Sequence, residues 1–301
     1  MVNNYFASLI GDSSPKNIAS NNRTLATDPY REFRQEVERP EETIDLGHAA
    51  LTIALAAYPD LDISSYLRRI DELAVAVGQR CGAGADRFRS IAALNYVLFN
   101  EQGFRGNRAA YYDAENSFLN RVIERKTGIP ITLSVLYMEV AQRLGLNFNG
   151  VGFPGHFLVK TAIDDNEIVI DPFNGGEIKS PKDLDQMLRE MYGGKVGLRP
   201  EFLAPVTRKQ ILLRMLGNLK AIYGRGDELV KMLAVLDRLI ILDPDAVEEV
   251  RDRGAVYLRL ECYGQAKDDF ETYLRLAPDA RDAAAIRDQL VDLAKHPVLI
   301  H

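Results

Sequence analysis

The chain has 301 residues, 47% hydrophobic and 27% charged, an ordinary globular composition long enough for one large domain or two average ones. With 37 basic against 43 acidic side chains its net charge is −6, which argues against a nucleic-acid binder driven by phosphate neutralisation and leaves only a local basic patch to serve one. The two cysteines, Cys81 and Cys262, lie far apart without metal-type spacing, so a disulfide framework and a zinc site are both disfavoured, no metal or cofactor is expected, and a reducing, cytoplasmic setting is.

In chain order, residues 1–42 are polar, rich in Asn, Ser, Asp and Pro. They read as a mostly disordered arm with one short helix at Arg31 to Val37. The start, MVNNYFASLIGDSSPKN, has no basic cluster and no long apolar core, so it is not a secretory signal. From Glu41 the pattern becomes helical. EETIDLGHAALTIALAAYP and ISSYLRRIDELAVAVGQRC carry apolar residues at helical spacing, separated by Pro59-Asp60, with Ser64 or Ser65 as the expected cap of the second. The apolar run from Ala49 to Tyr58 is about half the ~20 residues needed to span a bilayer, so no membrane association is expected. DRFRSIAALNYVLFNEQ is a third helix, stopping before Gly103.

The turn-rich stretch GFRGNRAAYYDAENSF follows, then a helix from Ser117 to Lys126 capped by Asn116 or Ser117. Thr127-Gly128 breaks the chain. Pro130 to Leu144 is a buried helix, because Leu133, Leu136, Tyr137, Val140 and Leu144 form one apolar stripe and Pro suits a first turn. NFNGVGFPGHFLVKTAI and NEIVIDPFNGG read as two strands joined by the acidic turn Asp164-Asp165-Asn166, and Pro181 to Tyr192 returns to helix. In the last third, LDPD at Leu242 recurs as LAPD at Leu276, 34 residues on, which is the tetratricopeptide period. Gly254, Tyr257, Ala266, Phe270, Tyr273 and Pro278 fit that pattern well. The preceding copy is weaker, since Lys220 and Met232 stand where small residues are preferred. Neither helix hairpin can bury its apolar face alone, so both are expected to pack on the preceding domain. The segments are therefore 1–42 (arm), 43–200 (helical cluster and α+β core) and 206–295 (repeats).

His156 is one of only four histidines. Placed on the first strand, with Asp171 on the second and a turn near Asp164, it becomes a near cross-strand neighbour of that carboxylate. A carboxylate beside an imidazole fixes its tautomer and steadies its charged form, which makes two-thirds of a nucleophile–base–orienter triad. The natural place for the nucleophile is the start of the Pro130 helix, where the dipole favours a thiolate.

The order of elements resembles the transglutaminase-like superfamily, which shares papain-like Cys-His-Asp chemistry. The motifs LFNEQGFRGN, YYDAENSFLNRVIERKTGIPITLSVLYMEVAQRLGL, GVGFPGHFLVK and IDPFNGG are similar to its bacterial SirB-type branch, from about Thr43 onward. The resemblance implies an α+β fold, with a papain-like core and a small antiparallel sheet followed by tetratricopeptide helices. It carries the family's His and Asp onto His156 and Asp171. The family's cysteine lies two residues after the helix-start glycine and fifteen before the glycine of Leu-Gly-Leu; from Gly128 and Gly145 both counts reach Pro130. Proline offers no nucleophile.

Three readings of the pair stay open. A cysteine-less core can act as a pseudoenzyme scaffold or adaptor that binds a protein or peptide, as both the cleft and the repeats suit extended chains. A hydrolase or acyltransferase would use Ser134, Thr132 or water as attacker. Otherwise the pair only staples the hairpin, with Thr132 and Ser134 bonding back to helix carbonyls. Arg105, Asn107, Tyr112 and Asn116, with Arg108, Tyr111 and Asp113 nearby, belong to a polar, aromatic loop that can rim the cleft, although capping and turn roles suit Asn107 and Asn116 better. His48 reads as a core or boundary residue, and His296 and His301 as solvated.

Overall fold

The computed structural model describes residues 28–164 and 166–295. Most of the expected arm, Asp165 of the acidic turn, and His296 and His301 lie outside the described residues.

Helix α1, Arg31–Val37, has the expected bounds, but it is docked, with Phe33 and Val37 buried. After the 3₁₀ turn Glu41–Thr43, α2 spans Leu46–Ala54 and α3 spans Ile63–Cys81. Both are capped by aspartate: Asp45 accepts from the His48 N–H and Asp62 from the Ser65 N–H. Asp62, not Ser64 or Ser65, is thus the cap, because the chain enters the helix two residues earlier than the serines require. Helix α4, Arg87–Asn95, runs on as a π-helical turn over Tyr96–Glu101. This widened turn presents Asn95, whose Nδ2 donates to the Gly176 carbonyl at 2.8 Å while Tyr137 Oη donates to Asn95 Oδ1 at 2.9 Å.

Strand β1 (Arg105–Gly106) pairs in parallel with β2 (Thr127–Gly128). Between them α5 covers Leu119–Arg125. It has no side-chain cap, since Asn116 and Ser117 belong to a preceding 3₁₀ turn, Ala114–Ser117. Helix α6, Pro130–Arg143, is buried along nearly its whole length. Its acidic residue Glu139 is also buried; burial pushes that carboxyl up, and Arg143 opposes this from 2.9 Å.

The region expected as two strands holds three: β3 (Asn149–Val151), β4 (Leu158–Ile163) and β5 (Asn166–Asp171). Together with β6 (Glu177–Lys179) and β7 (Pro205–Val206) they form an antiparallel sheet of order β6-β5-β4-β3-β7. Helix α6 packs against one face through Phe157, Val159, Ile163, Ile168 and Ile170. Helix α7, Pro181–Tyr192, seals the other through Leu184 and Leu188 on Val151, Phe153, Leu158 and Val169. The middle strands are therefore apolar on both faces where they are covered, at Leu158-Val159 and Ile168-Val169-Ile170, and polar towards their ends.

The repeats are hairpins α8 (Arg208–Gly226) with α9 (Leu229–Leu242), and α10 (Val247–Arg259) with α11 (Tyr263–Leu276), followed by α12 (Ala283–Leu293). The first hairpin merges with the main core through Ile211, Leu212, Met215, Leu216, Leu219 and Leu236, and the second reaches the same core through Val256, with Tyr257 and Leu260 packed against it. The second builds a cluster of its own with α12, around Ala266, Phe270, Tyr273, Ile286 and Leu293. Packing of both hairpins on the core was the expectation. The second hairpin meets that core along α10 and packs its α11 residues against α12, as a solenoid repeat stacks on its neighbours. Gly254 lets α11 close in, because a Cβ there would stand 2.8 Å from the Phe270 ring. Lys220 is tolerated at its small-residue position because its amine leaves the hairpin to pair with Glu249 and Asp252 on α10.

Candidate functional site

His156 is placed by a turn rather than by a strand. Its N–H donates to the Phe153 carbonyl at 3.0 Å, closing Phe153-Pro154-Gly155-His156. Proline second and Gly155 third, with φ +70°, is the type II pattern, which needs a residue tolerant of positive φ at that place. The register pairs Val159 with Ile170, so His156 lies two residues before the start of β4 and reaches Asp171 diagonally. The two side chains nevertheless meet, with Nε2 3.0 Å from Asp171 Oδ1.

Asp171 ends β5 and is fully buried. Its Oδ1 also accepts from the N–H groups of Phe173 (3.1 Å) and Asn174 (3.2 Å), and Oδ2 accepts from Asn174 Nδ2 at 2.7 Å. Burial pushes the carboxyl up, but the His156 ring and the Asn174 donors outweigh it and hold the group below the usual carboxylate range. A carboxylate can only accept, so the His156 proton sits on Nε2 and the lone pair of the neutral ring sits on Nδ1. Among the described residues Nδ1 makes no hydrogen bond within the chain. The pair thus leaves one ring nitrogen without a partner in the chain, beside a carboxylate that accepts four hydrogen bonds.

The position facing the question of a nucleophile is the first turn of α6. Pro130 is its N1 residue and has no donor or acceptor on its side chain. Thr132 is committed elsewhere: its hydroxyl donates to the Asn116 carbonyl at 2.7 Å and accepts from the Ile129 N–H at 3.2 Å. Ser134 is fully buried, and among the described residues its Oγ has no hydrogen-bond partner, His156 included. Cys81 and Cys262 are free thiols in α3 and at the start of α11. Burial pushes the Cys262 thiol up, the opposite of activation.

The loop 103–117 divides. Asn107 and Asn116 bond each other at 3.0 Å, and Asn116, itself buried, also donates to the Ala110 carbonyl at 2.7 Å. They shape the loop. Arg105 is exposed on β1. Tyr112 is 65% exposed beneath the Arg225 guanidinium, 4.8 Å from its ring centre. Gly106 matters more than sequence suggests: a Cβ there would stand 2.5 Å from the Phe173 ring, which lies edge-on to His156 at 5.8 Å. Arg108 crosses the same ring at 5.2 Å and donates to Asn174 Oδ1, extending the polar chain from Asp171 to the surface.

Two contributors had been missed. Asn174 was readable within IDPFNGG, though only as a turn residue. Arg214, on repeat helix α8, had no sequence signal; its Nη2 donates to the His156 carbonyl at 2.7 Å. A separate cavity of about 560 Å³, lined by Tyr30, Leu55, Tyr58, Phe118 and Tyr223, lies between α2 and the first hairpin and shares no lining residue with the His156 neighbourhood. Among the described residues no group of three or more His, Cys, Asp or Glu is placed to hold a metal, and no helix is long and apolar enough to cross a membrane.

A helical cluster and antiparallel sheet around a His-Asp pair, followed by helix hairpins at a 34-residue period, define a transglutaminase-like core carrying tetratricopeptide repeats. The family comparison agrees: residues 64–217 match the transglutaminase-like superfamily core and 219–291 a tetratricopeptide repeat model. The chain belongs to the UPF0162 family of transglutaminase-like proteins. It is 37% identical over 268 residues to a UPF0162 protein of Xylella fastidiosa, covering 87% of this chain and 94% of that one. A Vibrio cholerae UPF0162 protein is 30% identical over 254 residues, covering 83% and 92%. The mouse F-box only protein 21 is 33% identical over 184 residues, which is 56% of this chain and 28% of that protein. No solved structure matches the chain significantly.

Proposed function

We propose that this chain is a non-catalytic, cytoplasmic transglutaminase-like protein that binds a protein or peptide partner as a scaffold or adaptor. The observation that carries the reading is Pro130 at the opening of α6, together with a His156–Asp171 pair whose side chains meet at 3.0 Å. Loss of the attacking sulfur removes the first covalent step of Cys-His-Asp chemistry. The pair, its edge-on Phe173 and the exposed tyrosines remain as a recognition surface, adjoined by repeats of a class that generally mediates protein–protein contact.

A second reading, hydrolysis or acyl transfer, draws on the free Nδ1 and on the unpartnered Ser134 hydroxyl. It requires Ser134, Thr132 or a water to reach that nitrogen. Two measurements separate them. Serine- and cysteine-directed acyl probes are applied to the folded protein, and a peptide library is screened for binding with wild type and His156→Ala in parallel. Peptide binding that weakens in His156→Ala, without covalent labelling, supports the scaffold. Covalent labelling that His156→Ala abolishes overturns it.

A further inference from the structure

The repeat segment and the core meet at His156 through one side chain. Arg214 leaves α8, and its guanidinium donates to the His156 carbonyl and stands 5.4 Å from the Phe157 ring centre. A half-buried guanidinium ordinarily has a carboxylate partner. Among the described residues Arg214 has none: the titratable groups near it are the phenols of Tyr111 and Tyr192, which are neutral at physiological pH. Burial pushes its pKa below the usual arginine value.

The surroundings are apolar yet open. Tyr111 (39% exposed), Met191 (42%) and Tyr192 (39%) are large side chains left at the surface. Tyr111 packs edge-on to Phe173 at 6.2 Å, and Phe173 packs on His156. The end of α7 comes up against the His156 turn from the other direction: a Cβ on Gly155 would lie 2.9 Å from Met191 Sδ and 3.4 Å from Tyr192 Oη. An uncompensated cation at the foot of an exposed aromatic rim suits a ligand with an anionic end and an apolar body.

We propose that this place is a carboxylate-recognition site, with Arg214 supplying the charge and the Tyr111–Tyr192 rim holding the apolar group that carries the carboxylate. The inference rests on the binding-cleft reading above and specifies its ligand. A chain terminus and an acidic side chain offer the same chemistry, so the test uses both.

The full chain is titrated with N-acetyl-leucine, with N-acetyl-glutamic acid α-amide and with neutral N-acetyl-leucinamide, while the His156 ring and Arg214 side-chain NMR resonances are followed. At least one carboxylate probe is expected to shift both residues and to bind roughly tenfold or more tightly than the amide, as a charge-assisted contact is lost in the amide. The leucine probe winning identifies a chain terminus, and the glutamate probe an acidic side chain. Arg214→Gln is expected to remove the preference, while Arg214→Lys keeps it within a few-fold. Should the glutamine variant not fold, added salt serves instead, weakening the carboxylate probes and leaving the amide unchanged. Equal binding of all three probes, with no salt dependence, overturns the carboxylate site but leaves the peptide cleft standing. No shift with any probe overturns the site, and the cleft falls with it only if the peptide screen is also blank.

Discussion

Replacing Asp171 with Asn tests whether the pair is built around a buried negative charge. The substitution keeps the shape and removes one acceptor oxygen. In the native arrangement Oδ1 takes His156 Nε2 and two backbone N–H groups, while Oδ2 takes Asn174 Nδ2. An asparagine that keeps its oxygen towards His156 turns an NH₂ against the NH₂ of Asn174. Asn174 cannot simply flip, because its oxygen accepts from Arg108. One hydrogen bond to a charged group is lost and two donors are left facing, at a fully buried site. Each such loss costs about 1.5–3 kcal/mol, so a total of roughly 2–4 kcal/mol is expected. For a domain of this size that lowers Tm by roughly 5–15 °C. The sign with pH follows from the depressed carboxyl. Its contribution is complete above the unfolded aspartate value of about 3.9 and is lost as pH falls through the lower folded value. Thermal and urea unfolding of both proteins should therefore show the widest gap near neutrality and a closing gap in acid. A variant within about 1 °C of wild type at pH 7, or a gap unchanged down to pH 2, refutes the reasoning.

Pro130→Cys places a thiol at N1 of α6. Its iodoacetamide labelling should outpace that of Cys81 and Cys262, and should slow when His156→Ala is added; a thiol no faster than those two would mean that Pro130 does not stand where a nucleophile must. Gly106→Ala forces the Phe173 ring to move and is expected to shift the His156 ring resonances and cost about 1–3 kcal/mol, as overpacking does; unchanged resonances would show that the ring yields freely. Arg253→Ala leaves Asp269 and Asp237, which it meets at 2.7 Å each, without their cation. Unfolding of the repeat segment, read by hydrogen exchange over α9 to α11, should become easier by about 3 kcal/mol, and unaltered exchange there would count against a structural role for the trio.

Much of the architecture was legible. Helix bounds at Arg31–Val37, Ile63–Cys81 and Pro181–Tyr192 follow from periodicity and breakers, and the tetratricopeptide segment from its 34-residue echo. The meeting of His156 and Asp171 was legible too, though by the wrong route. Period-two reading extended the strand through Pro154-Gly155, while the chain there makes a type II turn whose geometry depends on positive φ. The caps failed because Asp62 competes with Ser64 and Ser65 within three residues, and because Asn116 and Ser117 are taken up by a 3₁₀ turn before their helix begins.

By itself, then, the sequence determined the family and the order of elements, and brought His156, Asp171 and Pro130 forward as the residues to examine, because each is written in local spacing or in residue identity. Tertiary structure alone decided that Thr132 spends its hydroxyl on the Asn116 carbonyl, that Asn116 is buried in its own loop, and that Arg214 arrives beside His156 from a repeat helix 58 residues away along the chain. Contacts at such separations depend on how α6, the sheet and α8 stack around one core, and no local pattern encodes that stacking.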